Sequence, residues 1–254
     1  MGRSSRSRKA SQDAHGPAPL QKKELRYEGK AKKLFNTNDP AHLIQEFKDD
    51  ATAFNGQKKA KIEGKGEVNC SVSTILFEYL TSYNVPNHFI RRLSPREMLV
   101  RKVEIVPIEA VMRNVATGSL VKRLGIEDGK VLQYPIFEMY LKNDKLGDPL
   151  INDYHALSLG LAIPEEIRTM FRLTAKINAL LRTFFERRGL VLVDFKLEFG
   201  RVGGELILAD EISPDTCRIW DQKTRKKLDK DRFRQDLGGV EKAYQEVLQR
   251  LSNK

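Results

Sequence analysis

The chain is 254 residues long, with 45 Lys and Arg against 34 Asp and Glu and a formal net charge of +11. That length buries a full core without staples, and 40% hydrophobic with 31% charged residues excludes an intrinsically disordered chain. No stretch approaches the roughly 20 apolar residues of a membrane span, and two cysteines outside any CxxC pattern, Cys70 and Cys217, exclude a disulfide scaffold and a Cys-rich zinc module.

Residues 1–20 combine Arg3, Arg6, Arg8 and Lys9 with serines and Gly16-Pro17-Ala18-Pro19 and show no apolar periodicity, so they read as a disordered basic leader. An apolar signal-peptide segment is missing there; the Arg/Ser composition matches a transit peptide only superficially. Most of the net positive charge falls in residues 1–33, and the remainder is close to balanced. No basic stripe interleaved with aromatics crosses the body, so nucleic acid is not expected as the main ligand.

Residues 25–35 predict a β-hairpin, 25–27 and 33–35, folded around Glu28-Gly29-Lys30-Ala31-Lys32, and 43–47 a third strand after Asp39-Pro40. Residues 49–66 are polar and predict a long functional loop. Val68, Val72, Ile75, Leu76, Tyr79, Leu80 and Tyr83 follow helical spacing over 67–83, and 88–90, 98–100 and 108–112 read as strands. Pro164 opens a long helix that Arg187-Arg188-Gly189 closes. A strand over 190–199, a Gly-rich turn, a strand over 205–210 and an amphipathic helix over 240–251 complete an α+β chain. The expected units are a β-rich N-terminal lobe, 21–108, and a mixed C-terminal lobe, 109–254, with the default ligand site between them.

The strand over 190–199 carries the most chemistry. Alternation puts Asp194, Lys196 and Glu198 on one face and Val193, Phe195, Leu197 and Phe199 on the other. A three-residue loop closing Gly200 on Gly204 would pair Glu198 with Leu206 and Asp194 with Asp210, bringing Asp210 to the polar face; a two-residue loop would put it on the opposite side. Two carboxylates flanking a lysine suit Mg²⁺ and a nucleoside triphosphate, although the tripeptide alone more readily fits a solvated sheet face. The Gly29 turn with Lys30 and Lys32 can bring backbone N–H groups and counter-charge to phosphates, or simply be a basic hairpin tip. Arg113 with Gly118-Ser119 at a helix start can hold a phosphate monoester or a carboxylate, or form a capped cationic face. No zinc-type His spacing and no Ser/His/Asp ordering is present.

Seven ordered blocks, YEGKAKKLF (27–35), FKDDATAFNGQKKAKIEGKG (47–66), PIEAVMRNVATGSLVKRLG (107–125), LKNDKLGDPLIND (141–153), LVDFKLEFG (192–200), ADEISPDTCRIWD (209–221) and DKDRFRQDLGG (229–239), together resemble the SAICAR synthetase family of de novo purine synthesis, bacterial type. The resemblance implies two lobes around an ATP cleft of kinase-like or ATP-grasp-like shape. It implies a ligase that activates the carboxylate of CAIR (carboxyaminoimidazole ribonucleotide) with ATP and Mg²⁺ and joins it to L-aspartate, in a cytoplasmic homodimer. It places Gly29, Lys30, Ala31 and Lys32 over the triphosphate, and Glu109 near adenine in the segment joining the lobes. Lys142, Asp144 and Asp148 line the active side, with Lys142 toward ATP and Asp148 among the catalytic groups. Glu198 and Asp210 become the Mg²⁺–ATP carboxylates. Arg113, Ser119 and Arg218 hold the CAIR phosphate, and Asp194 and Lys196 its base and carboxylate. One departure stands out: Asn152-Asp153-Tyr154-His155 replaces the family's common Asn-Asp-Asp-His. The alternative is another ATP-dependent small-molecule phosphotransferase on the same fold, although the protein-kinase HRDxxxxN pattern is absent.

Overall fold

The computed structural model describes residues 19–53 and 57–253; the expectation for the leader lies almost wholly outside them. The first sheet is antiparallel, formed by β1 (Lys22–Glu28), β2 (Lys32–Thr37), β3 (His42–Phe47), β6 (Phe89–Arg92) and β7 (Glu97–Arg101), in the order β1-β2-β3-β7-β6. The polar stretch after β3 is not one long loop. β4 (Asp50–Ala53) and β5 (Lys58–Lys61) pair antiparallel, because Ala51 and Ala53 alternate inward and pack with Ile62 and Phe233 in a small satellite core. Four lysines around that ribbon mask this short apolar face in the sequence.

Helix α1 (Lys65–Ser82) follows, and the second sheet starts at β8 (Glu104–Val115). A glutamate at 109 therefore lies inside a sheet strand, not in a connecting segment. After α2 (Ser119–Leu124) come β9 (Val131–Leu141), β10 (Leu150–Ile151), α3 (Asp153–Ser158) and α4 (Pro164–Glu186). The chain closes with β11 (Leu190–Val202), β12 (Glu205–Ala209), β13 (Cys217–Asp221), α5 (Asp231–Arg234) and α6 (Val240–Ser252). The sheet order is β10-β9-β8-β11-β12, with β13 paired to the first half of β11. One hydrophobic cluster runs through both sheets and α1, α4 and α6, from Phe47 and Met98 to Ile108, Phe195, Ile177 and Val247.

Two expectations about β11 are corrected. The hairpin to β12 pairs Val202 with Glu205 and Glu198 with Ala209, so its loop has two residues, not three. Gly203 and Gly204 both hold positive φ, 59° and 80°, the backbone a two-residue hairpin turn of the I′ type requires. Val193 does not join Phe195, Leu197 and Phe199. A register shift between Leu192 and Asp194 lets two residues separate core positions, so Val193 packs with Val115 and Trp220 in its own cluster.

Candidate active site

The second sheet lays functional side chains out in rows. Asp194 on β11 pairs with Arg113 on β8 and with Arg218 on β13, so two guanidinium groups flank one carboxylate across three strands. Arg113 Nη1 donates to Asp194 Oδ2 at 3.0 Å and Arg218 Nη1 donates to the same oxygen at 2.8 Å. Arg113 also donates to Glu138 at 2.6 Å, to Ser119 Oγ at 3.1 Å and to the Tyr140 hydroxyl at 3.0 Å. Arg218 Nε donates to Asp231 at 2.8 Å. At Gly118 a Cβ would stand 2.9 Å from the Arg218 guanidinium, so a glycine lets the α2 start close over it. Burial works against charge on Arg218, but Asp194 and Asp231 outweigh it and hold the group firmly cationic.

Two residues along β11, the side chains exchange sign. Lys196 Nζ donates to Glu109 Oε1 at 2.6 Å and to Glu198 Oε1 at 2.9 Å, and Lys142 Nζ donates to both Glu198 oxygens at 2.6 Å. Lys32 reaches across from the first sheet to Asp210, and to Glu211 at 3.0 Å. Burial and the neighbouring Asp210 push the Glu198 carboxyl up, yet Lys196, Lys142 and Lys32 prevail and keep it below the usual range. Asp210 is likewise driven up by burial and held well below the carboxylate range by Lys32, Lys196 and Lys142. Burial would discharge Lys196, but Glu198 and Glu109 raise it well above an ordinary lysine. Glu109 goes the other way: burial, with Glu198 and Asp148 nearby, lifts its carboxyl despite Lys196.

Asp210 reaches this cluster by a route that strand parity does not foresee. In the two-residue register it would face the core side, but β12 ends at Ala209 and Asp210 takes a left-handed φ of 63°, which re-aims its side chain toward Lys32. Its carbonyl accepts from Gln45 Nε2 at 3.3 Å and lies 3.1 Å from His88 Nε2, so a buried group of β3 and one just before β6 fix the turn. Gly29, Lys30 and Ala31 form the β1–β2 tip: Gly29 N donates to Lys32 O at 2.8 Å, and Ala31 O accepts from Lys48 N at 2.8 Å. Lys30 bridges to Asp144 at 2.6 Å, with both side chains exposed.

Asp148 touches no other candidate directly. With φ 48° it accepts from Asn143 N at 2.9 Å and orders the loop after Lys142, while its charge is felt at Glu109. Tyr154 points to solvent, 80% exposed, in an α3 capped by Asn152 and His155. Sequence reasoning missed the partners that orient the arginines. Glu138 and Tyr140 alternate on β9, a signal visible once β9 is paired to β8. Asp231 lies in a block whose acids have no periodicity to assign them.

No helix among the described residues is long and apolar enough to cross a membrane. A family model described as SAICAR synthetase matches residues 25–251. The chain is 58% identical over 232 residues to the phosphoribosylaminoimidazole-succinocarboxamide synthase of Chloroherpeton thalassium, covering 91% of this chain and 99% of that one. It is 54% identical over 235 residues to the Clostridium acetobutylicum protein of the same name, covering 92% and 100%. Among solved structures, the phosphoribosylaminoimidazole-succinocarboxamide synthase of Ehrlichia chaffeensis aligns with TM-score 0.88 at 47% identity, over 90% of this chain and 98% of that one. A SAICAR synthetase in complex with ADP aligns with TM-score 0.88 at 48% identity, over 91% and 98%.

Proposed function

The chain belongs to the SAICAR synthetase family, and from that premise we propose that it joins the CAIR carboxylate to the amine of L-aspartate, converting ATP to ADP and phosphate. The observation that carries the reading is the meeting of Lys32, from the first sheet, with the Glu198, Asp210 and Glu211 carboxylates of the second, beside the Arg113–Asp194–Arg218 row. One end suits a polyphosphate and the other a phosphate monoester, as a ligase that binds ATP and a second, monophosphorylated nucleotide requires.

In this reading the CAIR carboxylate attacks the γ-phosphorus of ATP, the bond to the β-phosphate oxygen breaks, and ADP leaves. The aspartate amine then attacks the acyl carbon, phosphate departs, and the amine gives up a proton. Lys30 and Lys32, with the Gly29 and Ala31 backbone, cover the triphosphate, and Lys142 stands beside it. Arg113, Ser119 and Arg218 hold the CAIR phosphate, while Asp194 and Lys196 orient the base and its carboxylate, and Asp148 keeps the wall after Lys142 in shape. Glu109 belongs with Lys196 on the sheet, so we assign it to the CAIR side and not to adenine.

The donor set fits Mg²⁺. Glu198 and Asp210 are adjacent, both held ionised, and two carboxylates suffice when phosphate oxygens and water complete the shell. Among the described residues no group of three or more His, Cys, Asp or Glu is placed to hold a metal unaided. When bound there, the ion would neutralise phosphate charge and align the transferred group. The expected lobe boundary at 108/109 falls inside β8, which starts at Glu104, so the N-terminal sheet and the second sheet that begins with β8 would supply the two sides of the site. The homodimer implied by the resemblance is kept as part of this reading, and two buried free cysteines fit a reducing, cytoplasmic compartment.

The test is ADP release with ATP, Mg²⁺ and CAIR, with and without L-aspartate, alongside chromatography of the succinocarboxamide. ADP and product that appear together only with aspartate support the ligase. ADP without aspartate or product would make the chain a phosphotransferase or ATPase on this fold.

A further inference from the structure

We propose that Lys230, just before α5, and Arg234, the last residue of α5, hold the two carboxylates of L-aspartate; this rests on the ligase reading above. The other cations of the site are already engaged. Lys32, Lys142, Lys196, Arg113 and Arg218 each meet at least two carboxylate oxygens, and these are the groups that the two nucleotides would take. A dicarboxylate needs cations that are left over.

Lys230 is one. Its backbone N–H donates to Pro214 O at 3.1 Å, which fixes it against the loop carrying Glu211 and Asp215. Its side chain is 15% exposed, and its nearest carboxylate oxygen, Asp215 Oδ2, is 3.9 Å away and is already 2.7 Å from Lys65. No hydrogen-bond acceptor meets its ammonium among the described residues. A mostly buried ammonium without a hydrogen-bonded partner is costly, and an incoming carboxylate relieves that cost. Burial accordingly draws Lys230 below the usual lysine range, with Asp215 opposing.

Arg234 is the other. One Nη donates to Asp231 Oδ1 at 2.6 Å, while its remaining N–H groups have no partner among the described residues and the side chain is 32% exposed. Asp231 is the same carboxylate that receives Arg218, so Arg234 stands one carboxylate from the CAIR-phosphate end. Lys230 senses Glu211, which binds Lys32 at the triphosphate end. The pair thus spans the wall between the two ends, where an amine must arrive to meet an acyl phosphate. The wall is anchored from outside, because Lys58 donates to Phe233 O at 2.7 Å and Arg232 to Gly238 O at 2.7 Å.

Steady-state kinetics on Lys230→Met and Arg234→Met, varying each substrate in turn, tests this. KM for L-aspartate is expected to rise at least about tenfold in each, with KM for ATP and CAIR within about twofold, and inhibition by succinate should weaken in parallel. Lys230→Arg and Arg234→Lys keep the charge should the Met forms misfold; they are expected to show smaller shifts in the same direction. An unchanged aspartate KM, or three KM values rising together as a structural defect would produce, overturns the assignment. Wild-type protein that makes no succinocarboxamide would instead overturn the ligase reading beneath it.

Discussion

Lys196 sits between two acids shifted in opposite directions: three lysines hold the Glu198 carboxyl below its ordinary range, while burial lifts the Glu109 carboxyl. Removing the ammonium leaves Glu198 and Glu109 with less compensation and, in the proposed reading, takes away the cation that faces the CAIR carboxylate. Lys196→Ala and Glu198→Gln are therefore expected to lower kcat by about 100-fold or more while the protein stays folded, the scale of a lost charge-stabilising group. Wild-type turnover in either variant would remove these two residues from the site. Asp229 supplies a pH signature. It is fully buried, and burial and Asp231 raise its carboxyl to about 7 despite donations from Ile219 N and Asp231 N. A raised carboxyl binds its proton more tightly folded than unfolded, so its contribution to stability is present below about pH 4 and is lost as pH rises to about 7. His88 acts oppositely, since burial lowers it to about 4 and it stabilises as pH rises toward its ordinary value. The informative quantity is thus the melting difference between wild type and Asp229→Asn, which should shrink from pH 5 to pH 8; a constant difference would mean that Asp229 does not titrate there.

At the scale of elements, the close seat of α1 against β3 depends on one residue. A Cβ at Gly66 would lie 2.5 Å from the Phe47 carbonyl oxygen and 2.7 Å from Arg96 Nη1, and the carbonyl is backbone that cannot swing away. Gly66→Ala should cost about 1–3 kcal/mol in denaturant unfolding, the range for forced overpacking; an unchanged midpoint would mean that the helix start is freely displaced. The same scale shows what the sequence discloses. Long periodic segments such as α4 and α6, and the alternation of Lys196 and Glu198, are readable because side-chain direction follows directly from spacing. The β4–β5 ribbon is not, since its apolar face is two alanines among lysines. Asp210 shows a subtler failure: the three-residue loop predicted the right neighbour through the wrong register, because a left-handed residue just past the strand end overrides parity. Val193 fails for a related reason, a bulge that periodicity does not encode. Partners that merely orient, Glu138, Tyr140 and Asp231, become visible only when strands from distant parts of the chain are paired.

Across the whole molecule, both halves are tied through charge as well as through the shared core. Lys65 opens α1, Asp215 lies between β12 and β13, and Tyr244 belongs to α6. Lys65 Nζ is 2.7 Å from Asp215 Oδ2 at an angle poor for a hydrogen bond, and Tyr244 donates to Asp215 Oδ1 at 2.7 Å. Both charged side chains are buried, which separates this pair from the exposed Lys30–Asp144 bridge. Burial pushes the Asp215 carboxyl up, but Lys230 and Lys65 hold it well below the carboxylate range. A depressed carboxyl stabilises the fold above its ordinary value near 4, and that stabilisation is lost as pH falls through the acid range. Breaking a buried pair on one side strands the other charge, at about 3–5 kcal/mol, whereas an exposed bridge is worth about 1 kcal/mol or less. Lys65→Met should therefore unfold at markedly lower denaturant at pH 7, and Lys30→Ala close to wild type. Adding Asp215→Asn to Lys65→Met should recover part of the loss, because the stranded charge is then gone. A Lys65→Met protein that unfolds with wild type would show that Lys230 alone neutralises Asp215; that lysine would then be committed like the others, and the aspartate subsite would lose its free cation.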